Sequence, residues 1–189
     1  MKKIILMRHS IPQKINIATE QIPITAEGIE LATSRKNELG KIDKVYSSNY
    51  LRSIQTAKCI SEDVIVLENL KERIIGVAEK DFWLEQYQDY NYKNYNGESL
   101  NEVKTRMHNC IHDVIKKMKE EETILIVSHA TAICSYLLNF GELEVTDSEI
   151  KRRKFIFNNN VIFDDTINPT SYFIFHFEND EICDIKFMK

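Results

Sequence analysis

Lys3-Ile4-Ile5-Leu6-Met7-Arg8-His9-Ser10 runs four apolar residues straight into an arginine, a histidine and a small hydroxyl residue. An all-apolar run of this length reads as a strand covered on both faces, as in parallel α/β sheets. Its carboxyl end then opens onto the crevice where such sheets bind ligands. Thr123-Ile124-Leu125-Ile126-Val127-Ser128-His129 repeats the arrangement, and the helix-compatible run Ala130 to Phe140 follows it. Two histidines at two strand ends predict one shared site.

Composition permits this fold. The chain has 189 residues, 43% of them hydrophobic, enough for one α/β domain over 1–189 with a sizeable core. A net charge of -4 gives no general attraction to nucleic acid or to an anionic membrane, so anions must be bound by local Arg and His clusters. Cys59, Cys110, Cys134 and Cys183 lack Cys-x-x-Cys spacing and sit in apolar segments, which predicts reduced, buried thiols. Lys2 and Lys3 precede only four apolar residues, short of the ~7–15 of a secretion signal or the ~20 of a membrane span, so a soluble, cytoplasmic protein is expected.

Pro12, Asn16 and Pro23 make Ile11 to Ile24 a loop over the sheet's carboxyl edge. Thr25 caps a helix carrying Ile29, Ala32 and Leu39, stopped by Gly40. A strand at Lys44 to Ser47 feeds a helix on which Leu51 and Ile54 face inward. Arg52 stands on its first turn, where it is either an anion clamp or a solvated surface arginine. Val64 to Leu67 is a third strand. From Glu79 to Asn96 the aromatics Phe82, Trp83, Tyr87, Tyr90, Tyr92 and Tyr95 crowd among four acids and two lysines. We read a lid insertion at about 77–97, following Gly76, with a packed aromatic satellite core as the alternative. Ser99-Leu100-Asn101-Glu102 is a capping box opening a long amphipathic helix. His108 and His112, four apart on it, have metal-ligand spacing, but Asn109 stands where a His-Glu-x-x-His motif needs glutamate, so they are read as exposed helix residues. Lys151-Arg152-Arg153-Lys154 reads as a solvated basic loop. Strands follow at Val161 to Phe163, Tyr172 to Phe177 and Ile182 to Phe187.

Six of these features stand together in order: Arg8-His9-Ser10, Thr25-Ala26-Glu27-Gly28, Ser47-Ser48 with Leu51-Arg52 and Gln55-Thr56-Ala57, Leu70-x-Glu72, Gly97-Glu98-Ser99 and Val127-Ser128-His129. From residue 3 to about residue 140 the chain resembles the histidine phosphatase superfamily, the phosphoglycerate mutase-like proteins, on their phosphatase branch. The resemblance implies a three-layer α/β domain with a mostly parallel central sheet flanked by helices. It implies catalytic roles for His9, Glu72 and His129. His9 would be the nucleophile forming a phosphohistidine, and Glu72 the proton donor, its pKa raised beside a phosphate dianion, with Glu98 as competitor. Arg8 and Arg52, with His129 as an imidazolium, would surround the phosphate in place of a metal, so neither magnesium nor any other cofactor is expected. Asn16, at shifted spacing, would touch the phosphate. Ser10 replaces the family's usual glycine and either crowds the backbone or adds a hydroxyl donor to the phosphate; Ala130 replaces a second glycine at a helix start.

The implied activity is that of a histidine acid-type phosphatase, a phosphoric monoester hydrolase acting on a small phosphate ester, with no nucleic-acid or membrane partner. Oligomeric state is left open. The alternatives are a phosphoglycerate mutase, disfavoured by the acidic insertion, and a silent phospho-ligand-binding module, disfavoured by the presence of all five key side chains. Trp83 and Tyr87 are expected to select the substrate from the lid, favouring a neutral or partly apolar leaving group.

Overall fold

A computed structural model describes residues 1–189. Strand β1, Lys2–Arg8, lies at the centre of a six-stranded sheet, between β4, Thr123–Ser128, and β8, Tyr172–Glu178. Its apolar run explains that position: Ile4, Ile5, Leu6 and Met7 are each at most 1% exposed, on both faces of the sheet. Ile4 and Leu6, with Ile124 and Ile126 of β4, point into the larger core cluster; Ile5 and Met7, with Leu125 and Val127, point into the smaller one. Each such side chain contributes roughly 1.5–3 kcal/mol by leaving water.

Helices cover both faces, making three layers. On the smaller cluster lie α1, Ala26–Leu39, and α2, Leu51–Lys58, through Leu39 and Ala57. On the larger lie α4, Leu100–Ile115, and α5, Ala130–Leu137, through Val103, Met107, Ile111, Ile133 and Leu137. The helix ends match the sequence signals. The Thr25 side chain accepts from the Gly28 N–H, Gly40 follows α1 at φ 70°, and both halves of the Ser99–Glu102 capping box form.

With β2, Lys44–Ser47, and β3, Val64–Val66, the sheet order is β3-β2-β4-β1-β8-β9, where β9 is Glu181–Met188. The first four strands are parallel, while β8 and β9 run antiparallel. Between β3 and α4, residues 77–97 leave the sheet; an isolated Val77–Tyr95 bridge closes their base, and they carry α3, Phe82–Gln88. Gly76 enters this segment at φ 70°, and a Cβ there would lie 2.2 Å from the Tyr95 carbonyl oxygen, so no larger residue fits.

Three expectations are corrected. The basic run at 151–154 is not a solvated loop: a second, antiparallel sheet joins β5, Glu142–Asp147, β6, Arg152–Phe157, and β7, Asn160–Asp165. Strand alternation sorts its charges, burying Arg153 and Phe155 while Arg152 and Lys154 pair with Asp164 and Glu144. Of the four free thiols only Cys134 is buried; Cys59 and Cys110 are half-buried and Cys183 is exposed on the edge strand. His108 and His112 are half-buried, their rings stacked at 5.7 Å on α4. No helix is long and apolar enough to cross a membrane.

Candidate active site

The parallel register sets Arg8 beside Ser128, so the next residues, His9 and His129, leave adjacent strand ends together, with ring centroids 5.0 Å apart. The His9 N–H donates to the Ser128 carbonyl at 2.9 Å, extending the ladder one step. The Ser10 carbonyl, 2.7 Å from His9 Nδ1, can only accept, which puts the ring proton on Nδ1 and leaves a lone pair on Nε2. Arg52 Nε donates to that lone pair at 3.1 Å. Burial, then the Arg52 and Arg8 guanidiniums, push the His9 pKa down to about 3, against the opposing pull of the Ser10 carbonyl.

Arg52 is not a surface arginine: it is 7% exposed. Its guanidinium donates to the Thr19 carbonyl, lies 4.8 Å from the Tyr50 ring centroid and brings Nη2 to 3.4 Å from His129 Nδ1. His129 Nε2 stands 2.8 Å from Ser48 Oγ and 3.2 Å from Ser53 Oγ. Burial, with His9 and the arginines beside it, holds the His129 pKa far below the usual histidine range. Burial thus disfavours the charged form of this ring, and the imidazolium expected here would need a phosphate beside it. Arg8 donates through Nη1 to the Ile167 carbonyl, while its buried Nε has no partner.

Glu72 reaches the site from the loop after β3. One carboxylate oxygen accepts from the Arg73 and Ala132 N–H groups at 2.9 Å and the other from Thr131 N–H at 3.2 Å, fixing it at the start of α5. Glu98 is engaged elsewhere: Arg106 of α4 grips it at 2.8 and 2.9 Å and also donates to the carbonyls of Asn69, Lys71 and Glu72. Burial pushes the Glu98 pKa up, but Arg106 and the Ile74 N–H together bring it below the ordinary range. Glu98 is a brace behind Glu72.

Two expected phosphate contacts are not brought to the site. Ser10 is fully buried, its hydroxyl donating to the Gly28 carbonyl at 2.7 Å and its N–H to Thr56 Oγ1 at 2.9 Å. It anchors the turn against α1, where Gly28 is required because a Cβ would lie 2.8 Å from the Ile11 carbonyl oxygen. Asn16 is exposed and makes no hydrogen bond.

Beside the histidines a cavity of about 350 Å³ opens between Arg8, Glu72 and Thr131 on one side and Phe82 and Trp83 of α3 on the other. Tyr87 does not line it. Its ring packs on the main core, 5.0 Å from Trp83, so it is a support and not a contact surface. The remaining wall comes from residues the sequence reading missed: Arg73, Lys151 and Arg153. The available signals were the adjacency of Arg73 to Glu72 and the alternation of Arg153, Phe155 and Phe157 beneath the run of charge.

Two histidines, two arginines and a carboxylate gathered at the carboxyl edge of parallel strands define an anion-binding crevice of the α/β type. The chain belongs to the histidine phosphatase superfamily (branch 1), which matches residues 4–154 and so extends through Arg153. No curated protein sequence matches it. Among solved structures it is similar to mycobacterial glucosyl-3-phosphoglycerate phosphatase, at 15% identity and TM-score 0.71, covering 100% of this chain and 96% of that one. It is also similar to a mutant phosphoserine phosphatase from Entamoeba histolytica in complex with phosphoserine, at 20% identity and TM-score 0.69, covering 98% and 97%. A complex of the Entamoeba histolytica phosphoserine phosphatase with 3-phosphoglyceric acid matches at 22% identity and TM-score 0.63, covering 88% and 98%.

Proposed function

We propose that the protein is a metal-independent phosphomonoesterase that works through a phosphohistidine on His9. The observation that carries this is the His9 ring, its Nδ1 proton held by Ser10 and its Nε2 lone pair facing Arg52. As a phosphoryl group approaches, Arg52 Nε turns from Nε2 to a phosphoryl oxygen, and Arg8 meets another. Nε2 then bonds to phosphorus as the ester P–O bond breaks, and protonated Glu72 gives its proton to the departing alkoxide. In the second half, water attacks the phosphohistidine, Glu72 takes its proton and inorganic phosphate leaves. A pKa near 3 keeps His9 nucleophilic on the acid side, in keeping with an acid-type phosphatase. The four unpaired cysteines support a cytoplasmic setting. The solved structures it resembles include phosphatases for glucosyl-3-phosphoglycerate and phosphoserine.

Brief exposure to a labelled ester followed by denaturation should leave acid-labile, base-stable phosphate on His9, absent from His9→Ala. Turnover should persist in chelator and stop with vanadate. Label that survives acid, or that remains in His9→Ala, would sink the mechanism. The phosphoglycerate mutase reading gains one observation, the basic wall of Arg73, Lys151 and Arg153, which the acidic inserted segment did not foretell. Isomerisation of 2- and 3-phosphoglycerate faster than phosphate release would promote it.

A further inference from the structure

We infer that a second cavity, at the amino edge of the sheet, is a binding site for a small aromatic amine whose ring carries a hydroxyl group. The site stands apart from the crevice and does not rest on the phosphatase reading.

Strand β1 delivers His9 at its carboxyl end, while Lys2 at its other end pairs with Phe177 of β8. Around that far end, the last turns of α4 and α5 and the β8–β9 hairpin leave a cavity of about 250 Å³. It shares no residue with the cavity beside the histidines. Ile115, Tyr136 and Phe177, each at most 3% exposed, form its floor, with Phe140 and Ile182 half-buried beside them. The hairpin turns tightly, Asn179 and Asp180 taking φ of 51° and 64°, and this sets Asp180 and Glu181 at the rim. An apolar void of ~150 Å³ is already enough for a benzene ring, so this cavity has room for a ring and a short chain.

Polar groups at the two ends choose the ligand. The Tyr136 hydroxyl forms no hydrogen bond in the fold and, unlike the Tyr87 hydroxyl, is not sealed off, so its small opening is into this cavity. Burial pushes its pKa up, which keeps it protonated and able both to donate and to accept. A buried hydroxyl without a partner is costly, and a hydroxyl on the ligand supplies one. At the rim, Lys2 answers Asp180 at 2.6 Å, whereas Glu181 forms no ion pair and leaves one carboxylate uncompensated. That end suits an ammonium, held in water while its body is buried. Between the ends, the His108 and His112 rings, parallel to within 13°, make a flat wall. His108 Nδ1 is sealed without a partner, so only Nε2 can serve the cavity. Burial, then His112 and Lys104, lower the His108 pKa and keep that imidazole uncharged at neutral pH, so it does not repel a cation. No third ligand joins the two imidazoles to hold a metal.

The test titrates the protein with tyramine, phenethylamine and hydroxyphenylpropionate, following the imidazole resonances of His108 and His112 by NMR and the affinity by calorimetry. Tyramine should bind at millimolar concentration or below and shift both rings, leaving those of His9 and His129 in place. Dropping the ring hydroxyl should weaken binding roughly two- to tenfold, and Tyr136→Phe should erase that difference. Exchanging ammonium for carboxylate should weaken it further, and Glu181→Gln should cost tyramine roughly two- to fivefold. Ile182→Trp, which fills the cavity from the hairpin, should abolish the shifts. If Tyr136→Phe fails to fold, Glu181→Gln and Ile182→Trp decide by the same shifts. No shift at either ring, equal binding of the carboxylate, or shifts confined to His9 and His129 would overturn the inference. So would zinc ions that move both rings where tyramine does not, which would make the pair a metal site.

Discussion

Around His9, most side chains have bonding partners within the fold, Ser10 and Arg52 for His9, Ser48 and Ser53 for His129, Thr19 for Arg52, while Arg8 keeps a buried Nε without one. On the wall of the neighbouring cavity, Arg73 and Arg153 likewise each keep one buried donor without an acceptor. The first region comes from parallel strand ends and the first turn of α2, where backbone geometry dictates where a side chain points. The second comes from a loop, a helix in an inserted segment and a separate antiparallel sheet. On the phosphatase reading the first region would meet the phosphoryl group, alike in every ester, and the second the leaving group, which differs; the second is assembled from elements that can vary without disturbing the central sheet.

Glu72 stands on the border, so its replacement gives the largest effect and the sharpest division. Glu72→Gln should slow alkyl phosphates by ~10²–10⁴-fold, yet nitrophenyl phosphate far less, because a nitrophenolate leaves without a proton. Comparable losses on both would make Glu72 a purely structural bridge to α5. A selective loss in Glu98→Gln would move the acid to the residue that Arg106 now holds.

Acid should next separate the two ends by stability. Below pH 6.5 the unfolded chain protonates His9, whereas the folded chain does so only near pH 3. The unfolded state therefore binds more protons in that window, and stability falls with pH by about 1.4 kcal/mol per unit from His9 alone. His129, shifted the same way, adds to the slope. Urea midpoints between pH 7 and 4 should drop less steeply in His9→Gln than in the wild type, and Arg73→Gln should keep the wild-type slope. Parallel slopes in wild type and His9→Gln would mean that the ring is charged in the folded protein.

The smallest effect belongs to Trp83→Ala. Removing the ring beneath Arg153 forfeits a cation–π contact of ~0.5–2 kcal/mol, so KM for the preferred ester should rise roughly two- to thirtyfold with little change in kcat on nitrophenyl phosphate. Tyr87→Ala, by contrast, empties part of the core and should cost roughly 3–5 kcal/mol of stability. Intact stability in Tyr87→Ala with a raised KM would put that ring in the cavity after all.

Much of the phosphate end could be read from the chain because strands and helix starts have short, local signatures. The apolar runs before His9 and His129 place both rings, and a helix over Leu51–Lys58 forms with Arg52 on its first turn, but its inward face differs from the one expected: Leu51 is exposed and Ile54 half-buried, while Arg52, Ser53, Thr56 and Ala57 are buried. Burial of Arg52 is another matter, since it depends on Tyr50, Thr19 and two histidines distant in sequence. Ser10 and Asn16 failed for a related reason: a residue beside a site can spend its hydroxyl inward on Gly28, or turn to solvent, without any change in local pattern. The cavity wall was nearly illegible. Arg153 sits in four consecutive basic residues whose alternation emerges only once β5 and β7 supply Glu144 and Asp164 as partners. The acids at 79–89 misled because their charge was assigned to a wall they do not line.

The central strand also bears on synthesis. On one side β1 pairs with β4, Lys3 opposite Thr123, and on the other with β8, Met7 opposite Tyr172. At ~5–20 residues per second, a ribosome needs roughly 10–30 s to make the stretch separating Met7 from Tyr172. β4 can close one edge of β1 earlier, but for that whole interval the edge that β8 will cover stays open beside Ile4, Ile5, Leu6 and Met7, and contacts of such long range are slow to form even once the chain is complete. The strand that presents His9 is therefore closed on its second edge only after β8 has been made.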